Sequence, residues 1–264
     1  MQRITVPTGD ILIKDGMEFL SLGDYGAVLH GDLLPLETKW VITISTQYGC
    51  SMMCKFCDVP KVGPGKNIPI QHLMEQVIIA RSLHPEVTSC DRLNVHFARM
   101  GEPSWNPDVI KCAKTLKFLY PGFIVHPVVS TMLPKDNKNL HGFLSDWIHI
   151  KNDVYDGNAG LQFSINSTDE VERAEMFSGN CMSLEQISCM MDTLPHPKGR
   201  KITLNFALAN YTIDPITLLN FFDPDDYIIK LTPMHGLETP QGYEKIADDC
   251  RNAGYDVEDL GRIT

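Results

Sequence analysis

The chain has 264 residues, 43% of them hydrophobic, and a formal net charge of −10. That length and content support one large core, and the acidity argues against a protein that grips nucleic acid by bulk electrostatics. The opening MQRITVPTGD has no apolar run of signal-peptide type, and no stretch approaches the roughly 18 uninterrupted apolar residues of a membrane span, so a soluble, cytoplasmic protein is expected.

In chain order, ITVPTGDILI and MEFLSLGDYG predict a small β hairpin, an N-terminal β extension over 1–39 ahead of a main domain over 40–264. From there the apolar period switches between two values. Runs rich in β-branched and aromatic residues predict strands at 41–46, 92–99, 123–130, 161–166, 202–208 and 227–233. Between them, IQHLMEQVIIARSLH carries an apolar stripe of helical spacing through Leu73, Met74, Val77 and Ile78. Ser183 with Gln186, and Ser167 with Glu170, have capping-box spacing and predict two further helix starts. Helices are also expected near 107–119, 136–145, 214–221 and 242–253, while DWIHIKND (146–153) reads as a short extra strand or an insertion. Strands that alternate with helices imply a parallel α/β sheet with right-handed crossovers, doubly wound or curved into a partial barrel. Either way the chemistry belongs at the carboxyl ends of the strands.

Eight cysteines stand at 50, 54, 57, 90, 112, 181, 189 and 250 without the spacing of a secreted disulfide framework, so reduced thiols are expected. Three of them crowd into GCSMMCKFCDVP, directly after the first main-domain strand. Spaced C-x3-C-x2-C, the thiolates of Cys50, Cys54 and Cys57 can hold three corners of a cubane and leave one iron open to a substrate. The alternative is a zinc site, which normally closes with four ligands, and no fourth Cys or His lies close in sequence.

These residues resemble the signature of the radical S-adenosylmethionine (radical SAM) superfamily, C-x3-C-x-aromatic-C, with Phe56 as the aromatic. The resemblance implies a partial (β/α)6 barrel and a 4Fe-4S cluster on Cys50, Cys54 and Cys57. It also implies that the open iron chelates S-adenosyl-L-methionine, whose reductive cleavage gives a 5′-deoxyadenosyl radical; the cofactor carries the hard chemistry and the protein orients it. Within RMGEPSWN, after the second strand, Gly101, Glu102 and Pro103 match the GEP segment that contacts the S-adenosylmethionine amino group in that family. Ser130 and Thr131, Ser164 and Asn166, and Asn205 and Asn210 fall at the ends of later strands, as candidate contacts to the same ligand or as ordinary turn and cap residues.

The stretches STQYGCSMMCKFC, RMGEPSWN, VVSTMLP and LQFSINSTDEVERAEMF are similar to the RlmN/Cfr group, which methylates adenine in ribosomal and some transfer RNA; Gln47, Gly49 and Asn106 point the same way. The similarity runs from about residue 41 onwards and ends in GYEKIADDCRNAGYDVEDLG, like that group's last helix and strand. It implies a nucleotide or RNA substrate and a flavodoxin- or ferredoxin-like electron donor. Three departures are visible. Thr43 stands where the group has its resolving cysteine, the C-terminal methyl-carrying cysteine has no counterpart, and 39 residues are too few for the group's N-terminal RNA-binding domain. Cys250, on a helical pattern, reads as a small core residue.

Within residues 39–66, Lys39, Lys55, Lys61 and Lys66 face only Asp58, a local charge of +3 that suits a phosphate-bearing substrate or, equally, a solvated loop. Three functions follow from the sequence: nucleobase or nucleotide modification by a variant of the group's route, hydrogen abstraction from a small metabolite or protein residue, and a non-enzymatic iron–sulfur or zinc module.

Overall fold

The computed structural model describes residues 1–24, 33–233 and 242–259. Strands β1 (Gln2–Val6), β2 (Gly9–Lys14) and β3 (Met17–Leu22) form an antiparallel meander. β3 in turn runs antiparallel to β4 (Trp40–Ile44), pairing Leu20 with Thr43. The N-terminal segment therefore has three strands rather than the two of a hairpin, and it continues the main sheet. Tyr25 and Gly26 of the expected hairpin, and Leu260 and Gly261 of the last motif, lie outside the described residues.

After β4, the short strands β5 (Gln47–Tyr48) and β6 (Lys66–Asn67) close a ribbon of their own. The chain then alternates: α1 (Ile70–Ser82), β7 (Cys90–Phe97), α2 (Asp108–Leu119), β8 (Phe123–Thr131), α3 (Leu140–His149), β9 (Gly160–Ser164), α4 (Glu170–Met176), α5 (Leu184–Met191), β10 (Ile202–Leu208), α6 (Pro215–Leu219), β11 (Tyr227–Pro233), α7 (Tyr243–Asn252) and β12 (Asp256–Asp259). The main sheet has the order β1-β2-β3-β4-β7-β8-β9-β10-β11-β12, and every pairing from β4 to β12 is parallel. The six expected main-domain strands are β4 and β7 to β11, with β12 added at the far edge. Among the described residues, no helix is long and apolar enough to cross a membrane.

The strands alternate as a period of two requires. Trp40, Ile42 and Ile44 of β4, Leu93, Val95 and Phe97 of β7, and Leu204, Phe206 and Leu208 of β10 are buried, in one core with Leu73 and Val77 of α1, Leu116 of α2 and Leu144 of α3. The intervening residues of the opposite face, among them Thr43, His96, His126, Ser130, Gln162, Ser164, Asn205 and Lys230, are half-buried. One face of the sheet is thus sealed by helices, and the other, the open face, carries mostly half-buried polar residues.

Two sequence expectations change. Residues 146–153 are neither strand nor insertion: α3 runs through His149 into a π-helical turn, Ile150–Val154, with Trp147, Ile148 and Ile150 buried. Its apolar residues fit a helix face as well as a strand, and packing decides between them. At α4 the cap is Asp169 and not Ser167; the Asp169 carboxylate accepts from the N–H groups of Val171 and Glu172, while the Ser167 hydroxyl donates to Glu172. The Ser183–Gln186 capping box is formed as expected.

Candidate active site

The three clustered cysteines leave the carboxyl end of β4 on a loop held at both ends. At Gly49 the backbone has φ +70°, and a Cβ there would lie 2.2 Å from the Gly63 carbonyl oxygen. Only glycine fits so close an approach. The Cys50 N–H donates to that same carbonyl at 3.2 Å, and the loop returns through β6 to pair with β5. On its far side the loop packs against the end of α4. Met52, Cys54, Met176 and Phe177 form a small buried cluster, bordered by Cys50, Cys57, Trp105, Met132, Cys181 and Tyr211. The Lys55 N–H donates to the Met176 carbonyl at 2.9 Å. Phe56, the aromatic of the motif, sits at the surface with its ring edge-on to Phe177, centroids 5.9 Å apart.

Gln47 ties this loop to the next strand's turn. It is 1% exposed; its Oε1 accepts from the N–H groups of Ser51 (3.0 Å) and Glu102 (3.1 Å). Its Nε2 donates to Ser51 Oγ (2.9 Å) and Asn67 Oδ1 (2.8 Å). A buried amide satisfied on both ends fixes orientation strongly, because any other arrangement strands polar groups away from water. Gly101, φ +90°, makes room for it: a Cβ there would lie 2.5 Å from the Gln47 Cβ. Asn106 adds a second brace, donating to the carbonyls of Thr46 and Ile68, both at 2.8 Å.

The Glu102 carboxylate is 2% exposed and taken up by protein groups. Oε1 accepts from the Ser104 N–H (3.0 Å) and Thr131 Oγ1 (2.7 Å), and Oε2 from the Met132 N–H (2.9 Å). Glu102 thereby joins the turn after β7 to the end of β8, and Pro103 begins a short 3-10 turn on it. Burial raises the Glu102 pKa above the usual carboxylate value, against the pull of these hydrogen bonds. Burial first, then the neighbouring Cys50, Cys57 and Glu102, push the Cys54 thiol up to about 12. The Cys50 thiol is raised by burial as well, opposed by the Met52 N–H. Cys57 and Glu102 thus both lie within electrostatic reach of Cys50 and Cys54.

The remaining candidates divide. Thr131 is buried against Glu102, whereas Ser130 and Ser164 are half-buried on the open face, opposite Gln162 and Asn205. Asn205 Oδ1 accepts from Thr232 Oγ1 at 2.7 Å on that face. Asn166, φ +62°, instead turns inward and accepts from the Ala207 N–H at 3.0 Å. Asn210 is an exposed turn residue with φ +59°. The local positive charge is mostly neutralised: Lys39 pairs with Asp24 (2.8 Å), Lys55 with Glu175 (2.9 Å) and Lys61 with Asp58 (2.5 Å). Lys66 stays exposed on β6. The partners Asp24 and Glu175 lie outside the 39–66 window, so a count within it misses them.

Sequence reasoning also missed Cys181 beside the cysteine loop, and Asn137, whose Nδ2 donates to the Ser104 carbonyl at 3.0 Å. Neither carries a local signal, since both reach the site through long-range folding.

No protein-family model matches the chain. It is similar to a probable RNA methyltransferase of Sorangium cellulosum, 26% identical over 196 residues, 72% of this chain and 45% of that protein. It is also similar to the dual-specificity RNA methyltransferase RlmN of the same organism, 25% identical over 225 residues, 80% and 55% of the two chains. A probable RlmN of Aquifex aeolicus is 23% identical over 74% of this chain and 53% of its own. The chain spans about half the length of these curated relatives. Among solved structures, a radical SAM methyltransferase from Sphaerobacter thermophilus superposes with a TM-score of 0.70 at 15% identity, over 98% of this chain and 75% of that one. TYW1 with a lysine-pyruvate adduct superposes at 0.53, 15% identical over 80% and 73%. In sequence the chain is thus similar to RNA methyltransferases, among them RlmN proteins, and its fold is that of a solved radical SAM methyltransferase.

Proposed function

We propose that this chain is a radical SAM enzyme that modifies a nucleobase or nucleotide, with Cys50, Cys54 and Cys57 holding a 4Fe-4S cluster and S-adenosylmethionine bound between the cysteine loop and the turn at Gly101–Pro103. The observation that carries the reading is the Gln47 bracket, which fixes the cysteine loop and that turn to one another at the carboxyl ends of adjacent strands. The donor set suits the group. Three soft thiols on one short loop match thiolate ligation of an iron–sulfur cubane. Among the described residues, no three His, Cys, Asp or Glu side chains converge on a single metal ion. A cubane does not ask for that convergence, because each thiolate sits on its own iron.

When bound, the cluster and S-adenosylmethionine supply one-electron reductive cleavage and hydrogen-atom abstraction. The chain's own residues position and shield. Loading releases protons from thiols that burial holds neutral. Met52, Met176 and Phe177 back the loop with apolar surface and keep water from that side. The Glu102 side chain acts as a brace for the turn, which leaves the turn's backbone to face a ligand ammonium. Ser130, Ser164 and Asn205 line the open face on the way to the rim. Thr43, half-buried in β4 beside His96 of β7, offers a hydroxyl in place of a resolving thiol; Cys250 is fully buried on α7. The hydroxyl at Thr43 favours a route that differs from a methyl-carrier cycle.

The test is anaerobic reconstitution with iron and sulfide, followed by dithionite and S-adenosylmethionine, with 5′-deoxyadenosine and S-adenosylhomocysteine followed by mass spectrometry. Deoxyadenosine from the wild type and none from Cys54→Ala is the expected result. A four-iron protein that makes neither product contradicts the proposal.

A further inference from the structure

The open face of the sheet is polar at the rim and basic at its base. Register puts Val41, Asn94 and His126 in one row and Thr43, His96, Val128 and Gly160 in the next. Arg92, two residues before Asn94 on β7, shares this side, its Nε donating to Asn94 Oδ1 at 3.3 Å. Arg200, just before β10, extends into the same row: a Cβ on Gly160 would lie 3.1 Å from its Nη1 and 3.0 Å from the Val128 methyls. Glycine at 160 thus leaves the space that the guanidinium fills. That Nη1 is buried without a hydrogen-bond partner.

Lys230 of β11 faces the group from across the sheet. It and Arg200, Lys39 and Arg92 all act on His96, which burial and these cations together push down to about 3. Since β8, β9 and β10 separate β7 from β11, such reach requires the sheet to curve round this face. His126 is likewise lowered, by burial and then by Arg92 and Arg200. The carboxylates facing the group are few. Glu258 pairs with Lys230 at 3.4 Å and also acts on Arg200, and Asp24 pairs with Lys39 at 2.8 Å. Arg92 and Arg200 lie near one another with no ion pair of their own among the described residues. In a chain of net charge −10, two adjacent guanidiniums of this kind are a recognition element for an anion.

We infer that the base of the open face, formed by Arg92 and Arg200 with Lys230 facing them from the higher row of Ser164 and Asn205, binds the phosphate or carboxylate of a small substrate whose other end reaches the cysteine loop. Four residues separate His126 from Ser130 along β8, a depth of about 13 Å. A mononucleotide or a metabolite of similar length spans it, and a polynucleotide lying across the rim does not reach its base. The inference rests on the radical SAM reading for what happens at the rim, while the anion site stands on its own groups.

Isothermal titration of the cluster-loaded, unreduced protein tests it, with inorganic phosphate, adenosine and guanosine monophosphates, succinate and an RNA oligomer as probes. The expected result is binding of at least one small anion, weakened about tenfold or more in Arg92→Gln and in Arg200→Gln and unchanged in Lys114→Gln on the exposed side of α2. Preference for the phosphates or for succinate identifies which anion the site takes. Lys230→Gln supplies the same measurement should an arginine variant fail to fold. Binding of the RNA oligomer alone, no binding of any small anion, or affinities indifferent to the Arg92, Arg200 and Lys230 variants would overturn the inference. Circular dichroism confirms that each variant tested is folded. Anion binding without deoxyadenosine formation would instead count against the radical reading and leave the site in place.

Discussion

Lys151 offers a stability prediction whose size can be worked from its surroundings. It lies in the π-helical turn after α3, is fully buried, and donates from Nζ to the Gly157 carbonyl at 2.5 Å. Burial, and then Arg200, push its amine down from 10.5 to about 8. At about 1.36 kcal/mol for each pH unit, holding the charge in the folded state costs about 3 kcal/mol. The unfolded chain keeps this proton up to about 10.5 and the folded chain releases it near 8. Between those values the unfolded state binds more protons, so the free energy of unfolding rises with pH through that window, and the penalty is complete below it. Lys151→Met removes the charge and loses one hydrogen bond worth about 1 kcal/mol. The Gly157 carbonyl keeps the Arg200 N–H at 3.1 Å. The variant should therefore be more stable than the wild type by about 2 kcal/mol at pH 7, with the advantage fading from pH 8 and reversing at about pH 10. Urea denaturation of both proteins across that range measures it, and subtracting the curves cancels the tyrosines and cysteines that titrate there too. A variant less stable at pH 7, or a difference that stays flat, would refute the reasoning.

Two further predictions concern the brace at the rim. Gly101→Ala adds a left-handed backbone penalty to a Cβ contact with Gln47; a loss of about 3 kcal/mol in urea is expected, together with less iron bound per chain after reconstitution. A neutral substitution would mean that the turn and the cysteine loop are not packed as described. Glu102→Ala strands the donors of Ser104, Thr131 and Met132, a loss of about 3 kcal/mol or more, and Glu102→Gln should recover part of it by keeping an acceptor. Thermal unfolding ranks the three proteins, and an alanine variant as stable as the wild type would remove the bracing role.

The frame was legible in the sequence because it is written many times over. Most main-domain strands carry three or four apolar residues on the helix-facing side, so misplacing one boundary by a residue or two leaves the architecture intact. β7 begins at Cys90 rather than 92 and β9 ends at Ser164 rather than 166, and neither shift moves the cysteine loop from its strand end. The three cysteines were legible for another reason: their spacing is local and their chemistry is narrow. Gln47 was visible only as a letter shared with a group of enzymes. Its physical role needs Ser51, Asn67 and Glu102 together, and those residues meet only after three separate segments have packed. The +3 window overstated the local charge for the mirror-image reason, because Lys39 and Lys55 find carboxylates outside it.

The base of the open face marks the limit of such reading. In RLNVHFAR, KGRKIT and YIIKLTP, Arg92, Arg200 and Lys230 are each the polar member of an alternating strand or the residue just before one. Alternation says which face a residue takes, not what that face looks upon, and for a single strand a charged residue opposite an apolar one means solvent. Here the sheet curves, so the face that would be solvent-exposed in a flat sheet encloses a space, and charges from strands four places apart act on one histidine. Register supplies what composition cannot: Gly160 falls beside Val128, and the room it leaves is taken by a guanidinium that no neighbour in sequence explains. In a parallel sheet wrapped round its open face, polar residues of buried-looking strands should therefore be read across the whole face rather than strand by strand, and a face that gathers charges of one sign is where a ligand of the other sign belongs.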